Sequence, residues 1–188
     1  QNLHHNSELQ QTMANCVKAL KRWTGKQKVV VIFDSTVDEF TAHTFFERVK
    51  AKENIAVIGF TADGDVFGGF YHVAVTEVDK TFDGWSVFAF SFSSRGRCLT
   101  PQRFLLHHNV QDDVWVKIFS GARWGFIIFR AGDGLLWLGN ERSDSLCSDL
   151  SKGFKGLKST TLSGKNNGGD SNNGEFHHCT RLIAVQFS

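Results

Sequence analysis

The run Asp63-Gly64-Asp65-Val66-Phe67-Gly68-Gly69-Phe70-Tyr71, entered from the apolar stretch Ile55 to Phe60, narrows the folds open to this chain more than any other segment. An Asp-Gly pair between two hydrophobic runs signals a β-hairpin, because a tight type I′ turn needs positive φ at both central residues. Asp63 and Gly64 are therefore expected to reverse the chain. Gly68 and Gly69 follow inside the returning strand, between Phe67 and Phe70. Glycine weakens a strand there and serves a bulge, a bend or a close backbone approach.

The strand pattern extends through most of the sequence. The β-branched run Val29 to Ile32 with Phe33 reads as a buried strand, ended by the turn-forming pair Asp34-Ser35. Ser35 is expected to cap a short helix within Asp38 to Lys50, whose Phe40, Phe45, Phe46 and Val49 fall on one face. Further strands are expected near Ile55 to Phe60, Val66 to Val75, Ser86 to Phe92, Arg103 to Val110, Val114 to Phe119, Gly125 to Arg130, Leu135 to Leu138 and Phe176 to Phe187. Asp-Gly recurs at Asp83-Gly84 and Asp133-Gly134, which argues for successive antiparallel hairpins. Glu141 to Leu157 reads as an irregular connection with a helical turn around Asp149 to Phe154, and Gly164 to Gly174, rich in Asn and Gly, as a loop. Many strands and few helices imply an α+β, mainly β chain built as a two-sheet antiparallel sandwich with a few flanking helices.

An amphipathic helix precedes the strands. Ser7 and Gln10 have capping-box spacing, Leu9, Met13, Cys16, Val17, Leu20 and Trp23 recur at three and four, and Gly25 ends the pattern. Residues 1–25 are thus read as an N-terminal helix and 26–188 as the main domain. The stripe suits either the end of a coiled coil, with homo-oligomers forming through it, or docking on the domain's own core.

With hydrophobic residues at 41%, charged at 21% and a formal net charge of +2 over 188 residues, the chain resembles a single globular domain and lacks the concentrated basic face of a nucleic-acid binder. No stretch approaches the roughly 20 apolar residues of a membrane span. The polar N-terminus does not resemble a signal peptide, so a cytoplasmic or nuclear setting is expected. Cys16, Cys98, Cys147 and Cys179 lie far apart with no C-x-x-C pair, as expected of reduced thiols.

Chemical motifs are sparse. Asp63 and Asp65 alternate around Gly64 as in half a calcium loop, but the rest of that loop is missing and a plain turn is expected. Gly164-Lys165 lacks the remainder of a phosphate loop, and no G-x-S-x-G elbow marks a nucleophile. His107-His108 and His177-His178 are adjacent pairs that cannot chelate one ion from one strand face. His177 with Cys179 supplies only two ligand types. No catalytic residue, cofactor site or metal site is therefore assigned. Cys98 is flanked by Arg95, Arg97 and Arg103, and nearby cations favour thiolate, which makes it the candidate redox thiol of an alternative peroxide sensor or thiol enzyme. The plainer reading of that loop is one whose arginines are solvated. Lys18, Lys21, Arg22, Lys26 and Lys28 form a basic helix face that a nucleic-acid-binding regulator would use.

Taken in order, several blocks resemble the TLDc domain of the oxidation-resistance proteins. They are Phe33-Asp34-Ser35 with Asp38 and Phe40, the hairpin from Asp63 and Gly64 through Phe67, Gly68 and Gly69 to Tyr71, and Trp85 to Ser91. Leu135 to Gly139, Ser145 to Leu150 and Phe176 to Val185 complete the set. The last strand has Ala184-Val185 in place of the family's acidic residue and tryptophan, and the late glycine cluster is reduced to Asp133-Gly134, as in a divergent branch. The resemblance implies a non-enzymatic protein-interaction module linked to protection against oxidative stress, with subunits of the cytosolic sector of the vacuolar proton pump as partners. It carries over no catalytic residues. The partner surface is expected on the connections around Ser93 to Gln102 and Glu141 to Ser151, with Arg95, Arg97, Arg103, Glu141 and Arg142 as contacts.

Overall fold

A computed structural model of the protein describes the chain outside residues 1, 96, 99, 111, 122–124, 140–143, 159–160 and 163–175. Of residues 2–9, 144–148 and 176–178 it describes the backbone alone. The expected Gly164 to Gly174 loop, Glu141 and Arg142 lie outside the described residues.

Two antiparallel sheets pack face to face. The first contains β1 (Val29–Asp34), β2 (Ile55–Thr61), β3 (Val66–Tyr71), β5 (Phe88–Ser93) and β6 (Gln102–Phe104). The second contains β4 (Thr81–Asp83), β7 (Val114–Ile118), β8 (Ile127–Ala131), β9 (Gly134–Leu138) and β10 (Asp144–Ser148). The twelve-residue β11 (Phe176–Phe187) belongs to both. Its first residues pair with β10, and its remainder lies between β1 and β2. The pairing register with β2 shifts between Cys179 and Arg181, where β11 passes from one sheet to the other. A bulge bends a strand in this way and lets it turn a sandwich corner.

Side-chain alternation explains the burial. Ile55 and Val57 of β2, with Leu182 and Ala184 of β11, face the core between the sheets, alongside Phe67, Tyr71, Phe126 and Phe129. Ala56, Ile58 and Phe60, with Ile183, Val185 and Phe187, face the opposite side and form a second cluster. Every residue of β2 and β3 is buried, which is why their sequences read as continuous apolar runs.

Helix α1 (Asn2–Thr24) covers that second face. Cys16 and Leu20 are fully buried on it, and Trp23 stacks on Phe92 at 5.8 Å and meets Phe88 edge-on at 6.2 Å. For residues 13–23 the apolar stripe is docked on the chain's own sheet. Gly25, at φ +72, donates its N–H to Lys21 O and closes the helix in the left-handed conformation that favours glycine. Ser7 lies inside α1 and does not start it. Helix α2 (Ala42–Val49) is capped by Thr41, whose Oγ1 accepts from Thr44 N at 3.2 Å. Ser35 is no helix cap. Its Oγ accepts from Leu182 N at 2.9 Å and its N–H donates to Leu182 O, extending the β1–β11 ladder past Asp34.

Other expectations are corrected. Asp63 does not take positive φ. Gly64 alone does, at +86, after a turn closed by Gly64 N to Thr61 O, so the hairpin loop has three residues and is not type I′. The turn between β8 and β9 is Gly132-Asp133, with Gly132 at φ +57 in the position a type II′ turn reserves for glycine. Asp83-Gly84 makes no hairpin, because β4 pairs with β7 in the second sheet while β5 enters the first. The segment read as irregular after Glu141 contains β10, and the helical turn expected after it is present as the short helix α3 (Leu150–Gly153). β10 has little periodicity of its own and is held by β9 and β11 on either side. The strands expected to reach Val75 and Val110 stop at Tyr71 and Phe104.

The two hairpin glycines are steric requirements. A Cβ on Gly68 would lie 1.9 Å from Val57 O, and one on Gly69 would lie 2.8 Å from the Phe129 ring of the facing sheet. Gly68→Ala is expected to lower unfolding stability by about 3 kcal/mol through forced backbone movement, read from denaturant midpoints at constant m. An unchanged midpoint would show that the β2–β3 spacing is not fixed by the missing side chain.

Candidate functional site

The residues singled out by sequence separate into two groups at opposite ends of β3 and β5. Val66 pairs with Ser93 at one end and Phe70 with Phe88 at the other, roughly 15 Å apart along an extended strand.

At the first end Asp65 is 1% exposed. Its N–H donates to Thr61 Oγ1 at 3.0 Å, and its Oδ1 receives Arg97 at 2.6 Å and the Arg95 Nε at 3.4 Å. Arg95 also approaches Asp63 at 3.9 Å. Arg97 continues to the carbonyls of Thr161 and Leu162, both at 3.3 Å. The guanidinium of Arg97 thus ties the hairpin tip, the loop after β5 and the 161–162 segment together. A buried carboxylate needs such compensation, and a planar five-donor group supplies several contacts at once. This corrects the reading of Arg97 as solvated. Arg95 is about half exposed, whereas Arg97 is largely enclosed.

Cys98 is half-buried against the inter-sheet core. Its N–H donates to Ser94 Oγ, and its thiol donates to Gln102 Oε1 at 3.5 Å. The two arginines that the sequence placed beside it are directed to Asp63 and Asp65. Cys16 and Cys179 are buried, and burial pushes the Cys16 thiol pKa well up, away from reactive thiolate. Arg103 is not part of this group. Its Nη1 donates to Trp23 O at 2.9 Å and its guanidinium lies over the Phe88 ring, so it holds the C-terminal end of α1, where cations are favoured. Among the described residues no group of three or more His, Cys, Asp and Glu could hold a metal.

A bidentate pair fixes the β1–β11 junction. Arg181 donates to Asp34 at 3.0 and 2.5 Å. Burial alone would raise the Asp34 carboxyl, but the Arg181 hydrogen bonds, with those from Thr36, hold it below the ordinary carboxylate value.

The other end of β3 opens into a cleft of about 550 Å³. Trp23 and Lys26, from the end of α1 and just beyond it, form one side, and His72, Trp85, Arg103, Leu105 and Lys155 contribute to the rest. Trp85 is 63% exposed and Leu105 48%, unusual for large apolar side chains. Trp85 is held in place nonetheless. Its backbone N–H donates to Asp83 Oδ1 at 3.1 Å, and its ring meets His72 at 4.7 Å and 69°. His72 Nδ1 and Ser86 Oγ share a hydrogen bond. Burial lowers the His72 pKa below its ordinary value, against the opposing pull of Asp83 and Glu53, so near neutral pH the imidazole is uncharged.

A family model of the TLDc domain matches residues 3–167. The chain belongs to the TLDc family. The match runs through α1 and stops before β11, which the structure supplies as the strand common to both sheets. No curated protein gives a significant match. Sequence reasoning on this TLDc domain missed the roles of His72, Trp85, Ser86 and Lys155. The available signal was Trp85 itself, a large aromatic placed between a turn and a strand, outside the alternating pattern.

Two outcomes are expected of this TLDc domain. Arg97→Ala strands the buried Asp65 and is expected to destabilise the fold by about 3 kcal/mol. Arg95→Ala is expected to cost less than about 1 kcal/mol, with both values read from denaturant unfolding. Separately, a histidine whose folded pKa is depressed contributes stability that is complete above the unfolded value of about 6.5 and is lost as pH falls towards the folded value. His72→Asn should therefore flatten the stability profile just below pH ~6.5. The loss from Asp34, also depressed when folded, begins only below its unfolded value of about 3.9. An unaltered profile in the upper window would remove His72 from the account.

Proposed function

We propose that this TLDc domain is a non-catalytic, regulatory protein-binding module and that its cleft beside Trp85 is the partner surface. The observation that carries this reading is the exposed Trp85, fixed by His72 and Asp83 and flanked by Leu105, with Lys26, Arg103 and Lys155 around it. A rigid aromatic anchor with an apolar neighbour and a charged rim is the composition of interaction hot spots. Its cations suit a partner that presents acidic side chains beside an apolar one. Membership of the TLDc family supports the finer reading: protection against oxidative stress through the cytosolic sector of the vacuolar proton pump, in the cytoplasm. Among the described residues no helix is long and apolar enough to cross a membrane.

Among the described members of the sequence-expected surface, Arg103 lies in this cleft and Arg95 is exposed at the opposite end of β3. Charge reversal at each end separates the two surfaces. Cross-linked capture from a native lysate is expected to recover proton-pump subunits with the wild-type chain. Trp85→Ala combined with Lys155→Glu should abolish that recovery without moving the unfolding midpoint, and Arg95→Glu should leave it intact. Recovery that survives the first variant and fails in the second would move the interface to the hairpin tip.

A further inference from the structure

Among the described residues the sheets have outer edges at β4, at β6, at β1 and at the first three residues of β11, the last as short as β4 and β6. β4 and β6 are three residues long and carry Asp83 and Arg103. Short, charged edges are the usual protection against pairing with another chain. β1 has neither device. It runs six residues, its first five are Val29-Val30-Val31-Ile32-Phe33, and Val30 and Val31 are 59% and 53% exposed.

The free hydrogen-bonding groups of this edge follow from its pairing with β11. Lys28 and Ser188 exchange N–H to O bonds at 2.9 and 3.1 Å, so they form a hydrogen-bonded pair. Antiparallel ladders alternate, which makes Val30 and Gln186 the next such pair. The N–H of Phe187, opposite Val29, turns the other way and reaches Asn54 O at 2.9 Å. The N–H and C=O groups of Val29 and Val31 consequently point away from β11, to the open edge.

We propose that β1 pairs with β1 of a second copy of this chain, antiparallel, about a twofold axis at Val30. The register is self-complementary. Val29 of each copy faces Val31 of the other, and each of those two pairs exchanges both of its outward hydrogen bonds, giving four in all. Val30 then lies beside Val30 of the other copy in a non-hydrogen-bonded pair, the closer kind for side chains. Charge agrees with the antiparallel sense. The strand is preceded by Lys26 and Lys28 and followed by Asp34, Asp38 and Glu39, of which Asp34 and Asp38 are paired within the chain with Arg181 and Arg48, leaving Glu39 as the acidic charge for the basic flank of the other copy. The contact is isologous, each molecule using the same edge, and the assembly therefore closes at two.

Sedimentation of the chain over a concentration series tests this. A monomer–dimer equilibrium is expected for the wild type. Val30→Lys and Val30→Glu should each be monomeric, because each sets like charges face to face across the axis. An equimolar mixture of the two should regain the dimer, since opposite charges then meet. At concentrations where the wild type is also monomeric, their unfolding midpoints should match it, as the substituted side chain is exposed and its bonds to Gln186 are backbone ones. A wild-type monomer throughout, a dimer that survives both substitutions, higher oligomers, or a mixture that stays monomeric would each overturn the proposal.

Discussion

Burial of β2 and of residues 182–187 of β11 on both faces is the constraint from which the rest of the structure follows. Alternate side chains along each strand are apolar in both directions, so neither face of the first sheet can be left to water. One face is covered by the second sheet and the other by α1. The helix is consequently a layer of the packed structure, with Cys16, Leu20 and Trp23 filling a surface that the sheet alone would expose. The close approach of Phe129 to Gly69 and of Val57 O to Gly68 sets how tightly these layers fit.

The same constraint decides what the sequence reveals. The run Ile55 to Phe60, the β-branched start of β1 and the stripe of α1 are legible because burial imposes a regular apolar pattern on them. β10 is not, since its order comes from neighbours distant in sequence. Turn chemistry is legible as location more than as type: Asp63-Gly64 marks a reversal, but the side chain and backbone of Thr61 add a residue to the loop. The site is the least legible part. That Asp65 is buried and Arg97 enclosed depends on a pairing 32 residues apart in sequence. The contact of His72 with Trp85 and Ser86 arises because β5 returns beside β3.

The two ends of β3 carry different physical tasks. At the hairpin tip, Arg97 bonds one oxygen of a buried carboxylate and two backbone carbonyls, so its charge is used within the fold. At the cleft, Lys26 and Lys155 surround an aromatic side chain whose orientation is fixed while its surface stays accessible. Preorganisation of that kind lowers the entropy lost on binding, which is how a small surface gains affinity without gaining area.

The cleft and the open edge are linked by one short stretch of chain. Trp23 lines the cleft, Gly25 ends α1, and four residues later β1 begins with Val29. Arg103 holds the Trp23 carbonyl from β6, so this stretch is anchored at its start, and the Lys28–Ser188 backbone pair anchors it again before the strand. Two copies joined through β1 would thereby carry their clefts at a fixed separation, set by strand geometry with no flexible linker between. A partner with repeated subunits would meet two anchors spaced in advance, and simultaneous engagement of both raises apparent affinity with no new contact. Spacing, set at β1 and read at Trp85, would then select among partners that a single cleft would bind alike.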